Sequence, residues 1–372
     1  MQQDFHYYGT YCAAIISGHT HDESLVIAYS AQFVDCCTRT YLGSIKAPVN
    51  AATTQSQLEL VDAGSDPLSL QNITRIWASF HFLPGDLNAE RKKCSKRYLH
   101  KYRLICNTNG ELVRDTIELA KGKGLEAEGL AMHVLADTWA HRYFAGTPSL
   151  VINNTDYFFY ELFPEGDGYR EEKIKFNHNP SSVDDPQTRQ YTNSVYQTSE
   201  NSVMNLGHGR AGHLPDYSYI RYRYMPAWKD YDDLIKDNPS DYYHAFCQMV
   251  YAMKYLRGEK PLFETGRYDE QSVSPWKERI TGILQKRQID ASEDWKAFAC
   301  ELSGMEVEDF NVDQYQAEYT GAVKGSKEET YLGRFISAAL AQKSMVTKRI
   351  YSSGNLLAGI SVDKEPGRGG RR

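Results

Sequence analysis

Residues 131–141, Ala-Met-His-Val-Leu-Ala-Asp-Thr-Trp-Ala-His, carry the most informative pattern in this sequence. His133, Asp137 and His141 follow one another at intervals of four residues. A helix turns by roughly 100° per residue, so each step of four drifts by only about 40° and the three side chains share one stripe. The residues between them are apolar. The pattern therefore predicts a helix over 126–143 that is buried nearly all round.

Two imidazoles and a carboxylate are costly to bury without partners. A bound metal ion would compensate for that cost, and so would a network of hydrogen bonds. Histidine and aspartate together suit zinc or another first-row divalent ion. From this helix alone, both a metal site and a metal-free His–Asp–His cluster remain open.

Four other segments also place histidine or aspartate in apolar, aromatic or glycine-rich surroundings. Each of these residues, taken singly, is typical of a polar side chain that is satisfied by a local hydrogen bond. Together with the helix over 126–143 they favour a site for several metal ions. These residues are His6 in an aromatic run, Asp35 on the apolar side of a helix, His81 between two phenylalanines, and His208 and His213 around a glycine-rich turn.

The order of these residues resembles the zinc-dependent phospholipase C and single-strand nuclease fold. That family pattern is an early His, a bridging Asp on a helix, a short His-Phe motif, a His-x3-Asp helix with one further His, and a late His with a carboxylate. Over about residues 4–220 the chain is also similar to an uncharacterised bacterial family of that type, which opens with Asp-Phe-His-Tyr-Tyr. The matching positions are His6, Asp35, His81, His133, Asp137, His141 and His208.

The resemblance implies a helical domain with a cleft that holds two or three zinc ions, or other divalent metals. It assigns the bridging and basic role to Asp35. Enzymes of this family also use their mature N-terminus as a ligand, and Asp4 is the candidate to replace it here. Four residues after His208 comes glycine instead of the family's carboxylate, so His213 or Asp216 is expected to supply that ligand; otherwise the site holds fewer metals.

Residues 217–228 alternate aromatic side chains with arginine, and they are the candidate substrate-binding segment. In a nuclease such a segment stacks bases and contacts phosphates. In a phospholipase its aromatic faces suit a choline-type head group. It is also typical of an extended segment that packs its tyrosines on the domain, or of a peripheral membrane-docking edge. The candidate residues are Tyr219, Arg221, Arg223 and Tyr224.

Composition excludes some classes of protein. The 372 residues include 42 Lys and Arg against 48 Asp and Glu, and a net charge of −6 argues against non-specific duplex binding. No stretch approaches the ~20 apolar residues of a membrane helix, and the start of the chain lacks a signal-peptide pattern. We therefore expect no transmembrane segment and synthesis in the cytoplasm. The seven cysteines form no CxxC pair and are expected to be free thiols.

The fold class predicted is mainly α. Periodicity and resemblance together predict a zinc-dependent phospholipase C-like helical domain over 1–260, with an irregular insert over 146–210. A C-terminal helical extension over 261–360 is expected to pack on this domain. The charged, glycine-rich tail over 361–372 is expected to be disordered.

These observations predict a metal-dependent hydrolase of phosphate esters. The negative net charge places phospholipid head-group cleavage slightly ahead of single-stranded nucleic-acid cleavage. One alternative is a single-strand nuclease or antibacterial toxin effector of the same fold, exported by a secretion system that needs no cleaved signal. Another is a non-catalytic binding protein, in which the metal site is closed and only stabilises the fold.

Overall fold

The computed structural model describes residues 1–56, 58–60, 67–156, 158–177, 182–193 and 207–357. This part of the chain is mainly helical, with a small antiparallel sheet, and the mainly α prediction is confirmed. Its α-helices are α1 (Thr10–Ile16), α2 (His21–Phe33), α3 (Arg39–Ser44), α4 (Pro67–Phe80), α5 (Lys96–Tyr102), α6 (Glu111–Ala120), α7 (Leu125–Ala140), α8 (Leu150–Asn153), α9 (Asn238–Leu256), α10 (Glu270–Val273), α11 (Lys277–Gln285), α12 (Ser292–Ser303), α13 (Gln316–Gly321) and α14 (Tyr331–Ser352).

Helix α7 lies at the centre of the molecule. It begins after Gly124, whose φ of +97° is open to glycine and strained for other residues. Every residue from Glu126 to Ala140 is buried, because α2, α9 and α14 all pack against this helix. The structure confirms the predicted burial all round, although the helix ends at Ala140 and His141 caps it.

The first helices show how local signals set the start of each element. Asp4–Gly9 form a π-helical turn that leads directly into α1. Thr20 and Glu23 form the capping box that begins α2: the Glu23 amide donates to Thr20 Oγ1 (3.3 Å) and the Thr20 amide to Glu23 Oε2 (2.9 Å). Helix α2 ends at Phe33, so Asp35, which was expected on the apolar side of a helix, lies in the turn behind it.

The helices after residue 260 share one apolar core with the N-terminal helices. The ring of Trp295 on α12 lies 5.8 Å from that of Phe5, and Phe335 on α14 lies 4.9 Å from Phe33. All four side chains are buried within the same cluster. The C-terminal helices therefore pack on the N-terminal part through a continuous core.

The central region differs from the prediction. The described residues between 146 and 210 contain four short strands, whereas an irregular insert was expected. The strands of the described residues are β1 (Tyr160–Glu165), β2 (Gly168–Lys173), β3 (Lys175–Asn177), β4 (Gln190–Thr192), β5 (Arg221–Tyr224) and β6 (Leu234–Asp237). Strands β2, β1, β5 and β6 form an antiparallel sheet in that order, and β3 pairs with β4 in parallel.

Strand β2 shows why the periodicity of the sequence did not predict these strands. Its sequence, GYREEK, is exposed along nearly its whole length, so it shows no alternation of apolar and polar residues. It is held by its antiparallel pairing with β1, in register from Tyr160 opposite Lys173 to Glu165 opposite Gly168. Backbone pairing of this kind leaves little trace in the side chains.

Two further expectations can be compared with the structure. All seven cysteines are free thiols, as predicted. Among the described helices, none has the length and apolarity that crossing a membrane requires. The tail over 361–372 lies outside the described residues.

Candidate metal centre

Histidine and aspartate side chains from separate segments meet around the C-terminal half of α7. They come from the π-helical turn, the turns behind α2 and α4, α7 itself, and the turns over 207–216. These side chains form three sets, and within each set the ligand atoms lie within 4.8 Å of one another. The sets are His6, His133 and Asp137; Asp35, His81 and His133; and His141, His208 and Asp216. We call these eight residues the metal centre.

Asp137 is the central carboxylate. It is 1% exposed and uses its two oxygens toward different imidazoles. Oδ1 lies 3.1 Å from His6 Nε2, whereas Oδ2 lies 3.1 Å from His81 Nδ1 and 3.2 Å from His133 Nε2. A carboxylate with ligand atoms on both sides is suited to join two neighbouring cation positions.

Asp35 forms the open side of the metal centre. Its side chain is 30% exposed, and its oxygens lie 3.7 to 3.9 Å from the ring nitrogens of His6, His81 and His133. These distances are too long for hydrogen bonds. They are near the spacing of two ligands around one ion, roughly 3 to 4 Å for metal–ligand bonds of about 2 Å.

Asp216 supplies the late carboxylate. It lies in the 3-10 turn Leu214–Asp216, where Oδ1 is 3.1 Å from His141 Nε2 and Oδ2 is 3.5 Å from His208 Nε2. His213 Nδ1 lies 3.3 Å from the same carboxylate, but its side chain is 61% exposed and it belongs to none of the three sets. Of the two alternatives from the sequence, the structure brings Asp216 into the metal centre.

The outer nitrogens of three imidazoles are held by backbone carbonyls. His81 Nε2 contacts the Thr53 carbonyl (3.0 Å), His141 Nδ1 that of His81 (2.7 Å) and His208 Nδ1 that of Gly212 (2.6 Å). A carbonyl can only accept, so each outer nitrogen carries the proton and donates. In the neutral ring the inner nitrogen then turns its lone pair toward carboxylate oxygens. Ring nitrogens and carboxylate oxygens that both present lone pairs repel each other unless a cation lies between them. This set of ligand atoms therefore fits a divalent metal.

The charges of the site agree with this arrangement. Burial lowers the pKa of His6 and of His208 to about 4, so both rings are neutral near pH 7, as metal ligands must be. Burial alone would raise the pKa of Asp137, but His141 and the Met1 amino group hold it well below its usual range. The site thus combines ionised carboxylates with neutral imidazoles at His6 and His208, whereas at His81 burial is outweighed by the hydrogen bond to Asp137 and the nearby carboxylates, which raise the pKa of that ring.

The Met1 amino group was not predicted as part of this site. It is buried, donates to Asp137 Oδ1 (2.8 Å) and lies 3.3 Å from Asp216 Oδ1. It therefore lies between the Asp137 and Asp216 carboxylates. The signal for it in the sequence was that Met1 lies only a few residues before His6 along the chain. The His6 amide donates to the Gln2 carbonyl (3.0 Å).

Asp4 does not reach the metal centre, which corrects its assignment as a ligand. Its carboxylate accepts from the amides of Phe5 (2.7 Å) and Ala291 (3.0 Å). It therefore ties the π-helical turn to the residue before α12. Burial raises the pKa of Asp4 to about 6.

The candidate substrate residues of β5 and its neighbourhood have other partners. Tyr219 shares a hydrogen bond with Tyr191 (2.7 Å), and Tyr224 is fully buried. Arg221 pairs with Asp237 (2.9 Å), and Arg223 is held by two carboxylates. Within the described residues, no hydrogen bond or ion pair joins these four side chains to the metal centre. The structure instead matches the alternative in which the segment packs its tyrosines on the domain.

The fold and this site define a mainly α-helical protein with a His/Asp centre that could bind metal ions. Residues 1–350 match a family described as a family of unknown function (DUF6765), and the chain belongs to that family. No curated protein and no solved structure matches the chain.

Proposed function

We propose that this protein is a metal-dependent hydrolase of phosphate esters with a zinc-dependent phospholipase C-like fold. The observation that carries the proposal is the set of inward-facing ring nitrogens of His81, His141 and His208, which meet the carboxylates of Asp137 and Asp216 while the outer nitrogens donate to backbone carbonyls. As His133 is common to two of the three ligand sets, the donors can serve two or three ions. Zinc is the metal that this mixture of imidazole and carboxylate suits best.

Bound divalent ions would stabilise the charge on phosphoryl oxygens and lower the pKa of a bound water. The residues of the chain have distinct parts in such a reaction. Asp137, buried and ionised, holds the ligand sets together. Asp35, on the open side, can orient a water molecule and accept its proton.

The exposure of Asp35 favours catalysis over a purely structural role. Structural zinc sites are closed by protein ligands, whereas catalytic sites keep an open position for water or substrate. Here the side chain that is 30% exposed is also the one with no hydrogen bond to the imidazoles. Phospholipid head groups stay slightly ahead of single-stranded nucleic acid as substrates, because the chain carries a net charge of −6.

Metal content is the first test. The protein is tagged at its C-terminus, because the Met1 amino group is buried in the site, and it is purified without chelator. We expect mass spectrometry to find two or three zinc ions per chain. His133→Ala should lose at least one of them, because this residue belongs to two ligand sets. His100→Ala, at a residue outside the metal centre that contacts Asn355, is the control and should keep them.

Activity is the second test. Hydrolysis of bis(4-nitrophenyl) phosphate should require the metal, stop with chelator and return with added zinc. Phosphatidylcholine vesicles and single-stranded DNA then separate the two substrate classes. Bound zinc without hydrolysis of any of the three would favour the non-catalytic binding protein, and protein that takes up no metal on reconstitution would overturn the proposal.

A further inference from the structure

A cavity of about 550 Å³ lies between α3, the segment 49–55, α4 and α14. Four cationic side chains line it: Arg39, Arg75, Lys343 and Lys348. The lining contains no carboxylate among the described residues. In a chain with more acidic than basic residues, four cations that face one cavity are a marked local excess of positive charge.

Among the described residues, the four cations lack counter-charges. Within the described part of the chain, none of them forms an ion pair with aspartate or glutamate. Lys343 Nζ donates to the carbonyls of Asn50 (2.7 Å) and Ala52 (2.6 Å). Arg75 Nη2 contacts Tyr351 Oη at 3.5 Å, and its Nε is buried without a hydrogen-bond partner among the residues that the structure describes.

The electrostatic cost of this arrangement is visible at Lys343. The pKa of Lys343 is lowered to about 8, mainly by burial; Cys37 opposes this shift, and the nearby charges of Arg75 and Arg39 contribute to it. Like charges brought together in a partly buried site repel one another more strongly than they do in water. An anion in the cavity would remove that repulsion.

We propose that this cavity binds an organic phosphate of nucleotide size that carries at least two negative charges. Guanidinium groups match phosphate oxygens in a planar, two-pronged geometry, and lysine adds a point charge. The cavity volume lies within the usual range for ligand sites, roughly 300 to 1,000 Å³. Ile76 and Leu340 offer an apolar wall for the organic part. Asn50 and Asn72, which also line the cavity, offer amide groups for hydrogen bonds.

Calorimetric titration of the full, zinc-loaded chain tests this proposal. The probes are ADP and inositol 1,4,5-trisphosphate, which separate a nucleotide from a cyclitol phosphate, and adenosine as the uncharged comparison. We expect at least one of the two phosphates to bind with a salt-dependent affinity, and adenosine to give no signal. Absence of binding by both phosphates would overturn the proposal.

Variants locate the binding. The double variant Arg39→Gln/Lys348→Gln removes two exposed cations that have no ion-pair partner in the described part of the chain, so it should leave the fold intact and weaken binding about tenfold or more. Lys343 is left unchanged, because it holds backbone carbonyls. Lys324→Gln, an exposed residue outside the cavity, is the matched control and should change affinity less than about twofold.

A separate variant tests whether the phosphate binds at the metal centre instead of the cavity. His133→Ala should bind the phosphate as the unmodified protein does, because the two sites share no residue. Binding that is lost in His133→Ala but kept in the double variant would place the phosphate at the metal centre and overturn the assignment. The cavity proposal can thus fail while the hydrolase proposal stands, and the reverse.

Discussion

The protonated ring nitrogens of His81, His141 and His208 decide what the metal centre can bind. The backbone carbonyls of Thr53, His81 and Gly212 each hold one ring nitrogen in its N–H form. In a metal-free network, some inner nitrogens would have to carry a second proton to meet the carboxylates. Burial resists that proton most clearly at His208, where it lowers the pKa to about 4. The same carbonyls prepare the rings for a metal ion.

Asp35→Asn is the sharpest test of the catalytic assignment. The amide cannot accept a proton from water, so turnover of bis(4-nitrophenyl) phosphate should fall by about 10²- to 10⁴-fold. Metal content should be largely kept, because Asp137, Asp216 and the histidines remain. Steady-state kinetics and mass spectrometry measure both quantities on the same preparation. Asp22→Asn, an exposed aspartate on α2, is the control, and undiminished turnover in Asp35→Asn would remove this residue from the role of base.

The contact between α2 and α7 fixes the position of Asp35 relative to His133 and Asp137. Gly129 makes this contact close: a Cβ at this position would lie 2.2 Å from the Ile27 carbonyl oxygen and 2.5 Å from Ser30 Cβ. Both partners are parts of α2 that cannot move aside without shifting the helix. The local sequence of α7 shows only a glycine within a helix, and the need for it comes from the neighbouring helix.

Gly129→Ala should therefore destabilise the protein, although alanine is the better helix former. We expect a loss of about 1–3 kcal/mol in the free energy of unfolding, measured in urea, as overpacking in a core costs. Gly282→Ala is the matched comparison on the exposed face of α11, where a Cβ meets nothing within 4 Å. That substitution should stabilise by about 0.5–1 kcal/mol. Equal effects of the two substitutions would show that α2 and α7 do not pack this closely.

The metal centre lies inside a helical core that is otherwise formed by apolar side chains. Buried residues from Phe5 through α7 to Leu357 form one cluster, and none of the eight metal-centre residues belongs to it. A second cluster around Phe82 and Tyr222 lies under the sheet. The fold thus has a source of stability that does not depend on metal binding.

Chelation should therefore remove the metal and leave the helices. We expect the far-UV circular dichroism of the stripped protein to stay helical while its melting temperature falls. Zinc should restore the melting temperature, with a gain near 4 kcal/mol when free zinc exceeds its Kd by about a thousandfold. Loss of the helical signal on chelation would instead identify a structural site and support the alternative of a non-catalytic binding protein.

Parts of the fold and of the site could be predicted from local patterns. The burial of α7 and the shared stripe of His133 and Asp137 follow from the spacing of residues within this one helix. The exposed strand β2 was missed because backbone pairing, and not side-chain burial, holds it in place.

Local patterns and the family resemblance together named seven of the eight metal-centre residues outright and left the eighth, Asp216, open against His213. Packing between distant segments decided the rest. Asp4 turns to the Ala291 amide, and the 3-10 turn at Leu214–Asp216 aims Asp216 inward while His213 stays exposed. Interactions within a turn of helix follow from spacing along the chain. The direction of a side chain in an irregular turn depends on partners that are far away in sequence, and only the folded chain specifies them.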